Sequence, residues 1–104
     1  MDLRQPHYQA PLARIKEIAA NSQTDWEFSG HALEEMARDG LDELDARNAI
    51  LRATKAIEQI DDDGPKYVVT GKDTEGRQIT ICIQVEDTPP WIFVITVWKI
   101  STRR

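Results

Sequence analysis

The 104-residue chain is 40% hydrophobic and 30% charged, with a formal net charge of −5; this suits one globular domain and excludes two, since each half would be short of a core. The acidic balance weighs against a general nucleic-acid-binding coat, but acids crowd the first half and the Asp61-Asp62-Asp63 run, so a local basic patch stays open. No stretch reaches the about 18–20 apolar residues of a membrane span, Asp2, Arg4 and Gln5 stand where a signal-peptide core would lie, and Cys82, the single cysteine, has no internal disulfide partner, so a soluble, cytoplasmic protein without membrane contact is expected.

The polar ends, residues 1–10 and 101–104, are expected to be loose or ordered by a partner. Pro11 suits the first turn of a helix, where its missing N–H costs nothing. Leu12, Ile15, Ile18 and Ala19 then recur on one face over about three turns, ending near Asn21. Trp26-Glu27-Phe28 alternates as a very short strand or an extended link. Ser29 is placed to cap a second helix, with Ala32, Leu33, Met36 and Ala37 as its apolar stripe and Gly40 as its stop. Asp42 is placed to cap a third, burying Ala46, Ala49, Ile50 and Ala53. The short link between them predicts an antiparallel or angled helix hairpin.

The segment from Lys55 to Ile60 favours an entering strand over helix continuation, because the aspartate-rich turn and Gly64-Pro65 follow it. Three strands are then expected over 66–70, 77–85 and 91–99. The first pair is joined by Lys72-Asp73-Thr74-Glu75-Gly76, with the glycine where positive φ is needed. The second is joined by Glu86-Asp87-Thr88-Pro89-Pro90, whose prolines stop the strand. Ile79, Ile81, Ile83 and Val85 share one face, opposite Gln78, Thr80 and Gln84. The last strand is apolar on both faces, which predicts a central place. Cys82 and the Trp91, Phe93 and Trp98 cluster are expected to pack inside; exposed aromatics there would instead mark an interface. The fold class is α+β, a single domain with N-terminal helices packed on a three- to four-stranded antiparallel sheet.

The sequence has no Cys/His cluster, no glycine-rich phosphate loop, no H-E-x-x-H pair and no glycine-framed serine. His7 and His31 are its only histidines, and no metal or cofactor is expected. What remains is a set of cations and hydrogen-bonding groups: His31, Arg38, Lys55, Tyr67, Arg77 and Lys99. Such groups can cut RNA by making a 2′-OH attack the neighbouring phosphate, if they move the proton, stabilise the charged oxygens and protonate the leaving oxygen. Each also has a plain structural use. Lys55 suits a helix C-terminus, and Arg77 can pair with Asp73 or Glu75. Lys99 is a strand-end charge, His31 can bond locally, and Tyr67 can be a half-buried strand aromatic.

The opening Arg4-Gln5-Pro6-His7-Tyr8, with Leu12 and Ile15-Lys16, and the ending Val94-Ile95-Thr96-Val97-Trp98-Lys99 resemble the MqsR-type toxins of the RelE-like messenger-RNA interferases. His31-Ala32, Arg38-Asp39-Gly40-Leu41 and Gly76-Arg77 also resemble motifs of small related domains of unknown function. The first resemblance implies a RelE-like fold and a metal-independent endoribonuclease acting on mRNA. It also implies a toxin held by a cognate antitoxin protein, with no DNA binding by this chain alone. It points to Lys55 as the lysine after the third helix and to Lys99 as the lysine closing the last strand. Ile79 stands near the place of a family tyrosine, so Tyr67 would substitute from another strand. Gln59 or Gln78 would supply the family's amide, and Arg77 a phosphate contact. A non-catalytic protein-binding module of the same fold is the alternative.

Overall fold

The structure, a computed structural model, describes residues 9–99. Three helices precede most of a five-stranded sheet: α1 Gln9–Ala20, β1 Asp25–Phe28, α2 Gly30–Asp39, α3 Glu43–Leu51, β2 Lys55–Asp61, β3 Gly64–Lys72, β4 Gln78–Asp87 and β5 Pro90–Lys99. The strand order is β1-β5-β4-β3-β2. Of the ends expected to be loose, residues 1–8, with His7, and 101–104 lie outside the described residues, whereas Gln9 and Ala10 open α1.

Local chemistry accounts for the helix boundaries. Ser29 Oγ accepts a hydrogen bond from Ala32 N at the start of α2, and Gly40 ends it at φ 72°. Leu41 N then donates to Met36 O, so the last carbonyls of α2 are satisfied by the turn that leaves it. Asp42 and Asp45 form a reciprocal capping box at the start of α3. Of the expected α2 stripe only Ala32 and Met36 are buried, and Leu33 is exposed. α3 buries Ala46, Ala49 and Ile50 as expected, with Ala53 just beyond its end. Lys55 does not close a helix: α3 stops at Leu51 and Lys55 opens β2, so the macrodipole offers it no role.

The sheet departs from the expected three or four antiparallel strands. β1 pairs with β5 in parallel, through Asp25–Trp91 to Phe28–Val94, and this makes the sheet mixed. Gly64-Pro65 is not turn but the start of β3; the β2–β3 turn is Asp62-Asp63, and Gly64 takes φ 101° beside it.

Register divides the sheet into two faces. Ala56, Val69, Ile79, Ile81, Ile83, Ile92, Val94 and Val97 line the inner face and join Ile15, Ile18, Ala32, Met36, Ala49 and Ile50 in the core. One irregularity decides what the other face carries. Cys82 pairs with Thr96 but Ile83 pairs with Val94, leaving Ile95 as an extra residue in β5. The bulge shifts the alternation by one. Trp91 and Phe93 before it, and Thr96 and Trp98 after it, therefore share the outer face. Both faces of β5 look apolar in sequence for this reason. The aromatic cluster and the half-exposed Cys82 are thus outside the core, contrary to their expected packing role.

Candidate functional site

Strand register gathers several of the expected residues at one end of the sheet. Lys55 opens β2 opposite Thr70. Lys72 closes β3 opposite Gln78, immediately after Arg77. Lys99 closes β5 opposite Ile79. Four basic positions on four consecutive strands, or the residue entering one, thus share one end of the sheet, with Lys99 at an inner-face register position opposite Ile79. Lys55 and Lys72 fall on the outer face with Gln59 and Gln78, by their pairing with Thr70, Lys66 and one another. Ile79, near the expected tyrosine position, is the register partner of Lys99 and is fully buried, so no phenol stands beside Lys99 on that strand.

Arg77 is held rather than free. Its Nε donates to Asp73 Oδ2 at 2.7 Å, and Glu75 lies 3.8 Å away. Asp73 is completely buried, and its Oδ1 also accepts from Glu75 N and Arg77 N, so one carboxylate shapes the β3–β4 turn. The hydrogen bond with Asp73 raises the Arg77 pKa above its ordinary value, more than partial burial lowers it. The guanidinium stays half-exposed at the sheet end with a fixed direction.

Behind this turn lies a second carboxylate. Asp45 Oδ1 accepts from Thr74 N and Oγ1, and Asn48 Nδ2 donates to Lys72 O and Asp73 O. Burial alone would raise the Asp45 carboxyl, but hydrogen bonds from Thr74 and Asp42 outweigh it and hold it below 3.8. Its stabilisation is therefore complete above the unfolded-state value and is lost as the pH falls through the lower folded-state value. Asp45→Asn should cost about 1–2 kcal/mol near neutral pH, and the gap from wild type should narrow as the pH falls through the lowered carboxyl value. Urea midpoints across pH measure this; a gap that does not change with pH would contradict it.

Tyr67 and His31 stand apart from the lysines. Tyr67 lies on the inner face, opposite Glu58 and Ile83, and packs against the core. Burial raises its phenol pKa, and the charge of Glu58 and a hydrogen bond with it add to the rise. It is therefore a phenol at neutral pH, able to donate a proton but poor as a base. His31 lies in the first turn of α2, with Nε2 3.1 Å from Glu35 Oε2. Glu35 Oε1 accepts from Val97 N at 3.0 Å. Arg38, one turn on, is exposed.

Two features were not expected from sequence. The outer face carries Trp91 and Phe93 stacked at 5.9 Å with 16° between their planes, and Trp98 is 41% exposed. On the helical side, a cleft of about 590 Å³ lies between the end of α1, the turn into β1 and α3. Arg47 stands over the Trp26 ring there at 5.0 Å. Asn48 and Thr74, which also line the cleft, are already bonded within the fold. Among the described residues there is no group of three or more His, Cys, Asp or Glu side chains that could hold a metal ion. No described helix is long and apolar enough to cross a membrane.

No curated protein and no solved structure matches the chain. A family model, described as a domain of unknown function, DUF4258, matches residues 28–99. The match spans α2, α3 and β2 to β5, and so contains His31, the Arg38 to Leu41 step, the Gly76-Arg77 strand entry and all four basic positions at the sheet end. On that match over more than half its length, the chain belongs to the DUF4258 family.

Proposed function

We propose that the protein is a metal-independent endoribonuclease acting on messenger RNA, the toxin of a type II toxin–antitoxin pair working in the cytoplasm. The observation that carries this reading is the convergence of Lys55, Lys72, Arg77 and Lys99 at one end of the sheet. An RNA strand needs cations spaced along its backbone, and Lys55 and Lys99 start three strand spacings apart, roughly 14 Å. They suit separate phosphates along a strand rather than a single one. Arg77, aimed by Asp73, supplies the fixed donor that a developing phosphorane charge requires. His31 is the group that takes the 2′-OH proton, since the raised pKa of Tyr67 excludes a phenolate base at neutral pH. The helix-then-meander order and the ends of the chain give the same fold a RelE-like reading. The cognate antitoxin is the partner that would keep such an activity silent.

A second reading, a non-catalytic protein-binding module, is favoured by the outer face. Asp25 and Glu86 pair with Trp91, and Glu27 pairs with Phe93, so acids frame the aromatic half of that face. Those acids repel RNA and suit a protein partner. The two readings separate when the chain is expressed alone. A toxin is expected to arrest growth, with arrest relieved by Lys99→Ala. Normal growth with the wild-type chain at high expression would contradict the nuclease and leave the module.

A further inference from the structure

We infer that Glu35 is a positioning residue that holds His31 in one tautomer, with Nε2–H turned to the carboxylate and Nδ1 turned outward to take a proton. This rests on the nuclease reading above, since it names how that site's proton-transfer group is oriented.

An exposed His–Glu pair four residues apart on a helix would ordinarily be a weak surface contact. Three observations make this one different. Glu35 is only 17% exposed, against 64% for His31. Its second oxygen is fixed by Val97 N, so the carboxylate cannot turn away from the strand. That amide needs an acceptor because β1 ends at Phe28, opposite Val94, and among the described residues no strand continues along that edge of β5. The Ile95 bulge lies between those two points, where the strand is re-aimed. The edge defect thus recruits Glu35, whose other oxygen holds the His31 ring.

The tautomer follows from donor chemistry. An ionised carboxylate only accepts, so a neutral ring beside Glu35 must carry its proton on Nε2, which leaves the Nδ1 lone pair free. In the reaction, Nδ1 takes the proton of the 2′-OH, O2′ bonds to phosphorus, and the P–O5′ bond breaks. The leaving O5′ takes up a proton from solvent, and the products are a 2′,3′-cyclic phosphate and a 5′-OH. The imidazolium formed is paired with Glu35 until it returns its proton to water. No oxidant, reductant or co-reactant is needed.

The test uses Glu35→Gln in the full chain. Glutamine can keep its oxygen on Val97 N, preserving the strand contact, but it turns an amide donor toward His31. Nitrogen-15 spectra of the imidazole, assigned with His7→Ala, should show wild-type His31 protonated at Nε2 when neutral. In the variant that preference should be lost while the melting temperature holds. With long RNA as substrate, kcat should fall roughly 10–100-fold, the size seen when a ring-orienting partner is removed, with KM unchanged. Glu35→Asp, which restores a carboxylate, should recover part of the rate. An unchanged tautomer in Glu35→Gln, or an altered tautomer with full cleavage, would overturn the proposal. Intact RNA with both proteins would instead bring down the nuclease reading and the role of His31 in it. The spectra then still decide whether Glu35 holds the ring.

Discussion

Replacing Gly71 by alanine is expected to cost at least about 3 kcal/mol, the upper end of overpacking losses in a close-packed core. Gly71 sits on the inner face of β3 opposite Ile79, directly beneath α3. A Cβ there would lie 1.9 Å from Ala49 O, 2.8 Å from Ala49 C and 3.1 Å from Ala53 Cα. All three are backbone atoms, so no side-chain rotation relieves the clash; the end of α3 must lift off the sheet. That end is built from Ala46, Ala49 and Ala53, all essentially buried, whose small size permits the close approach. Such a loss lowers the melting temperature by roughly 12–24 °C, at about 4–8 °C per kcal/mol for a domain of this size. Gly30→Ala is the control: nothing lies within 4 Å of its Cβ and its φ is not positive. It should be neutral or slightly stabilising. A Gly71→Ala protein that melts within a few degrees of wild type would contradict the packing described for α3 on β3.

The effect reaches the candidate site because α3 also backs the β3–β4 turn. Asp45 and Asn48 on α3 hold Thr74, Lys72 and Asp73, and Asp73 aims Arg77. Moving α3 therefore moves the turn that carries the Arg77 guanidinium. A partly folded Gly71→Ala protein should lose function by more than its unfolded fraction accounts for.

Local signals were legible in the sequence where one residue does one job. Ser29, Gly40 and Asp42 act at the helix ends for which their side chains or backbone freedom suit them. Ile79, Ile81, Ile83 and Val85 alternate onto one face because no bulge interrupts β4. The misses are long-range. The parallel pairing of β1 with β5 joins residues more than sixty positions apart and leaves no local trace. The Ile95 bulge inverts the alternation of β5 without any glycine or proline to announce it, and so Trp91, Phe93 and Trp98 were expected inside. At the site, the sequence offered Lys55, Arg77 and Lys99 as separate strand-end residues, and the register shows that they share one end of the sheet. It offered His31 alone. The i,i+4 spacing to Glu35 was visible, but its importance comes from Val97 N, on a strand about sixty residues away. Arg47 over Trp26 was likewise hidden, since the helix and strand that carry them meet only in the fold.

The outer face and the basic sheet end divide the surface by charge. Acids border the aromatic half, whereas Lys55 and Lys72 occupy the end near Lys99. A protein with net charge −5 can still meet RNA at such an end, because charges beyond about 10 Å are largely screened at moderate ionic strength. RNA contact here should therefore weaken steeply with salt.

Metal-independent RNA cleavage at the basic end of the sheet is the proposed activity. Its most direct test is incubation of the purified protein with a long messenger RNA in excess chelator, with the new ends analysed chemically. Cleavage leaving 2′,3′-cyclic phosphate and 5′-hydroxyl ends is expected, slowed roughly 10²–10³-fold by Lys99→Ala, the size of losing one charge-stabilising donor. Intact RNA with the wild-type protein, or equal cleavage by Lys99→Ala, would contradict it.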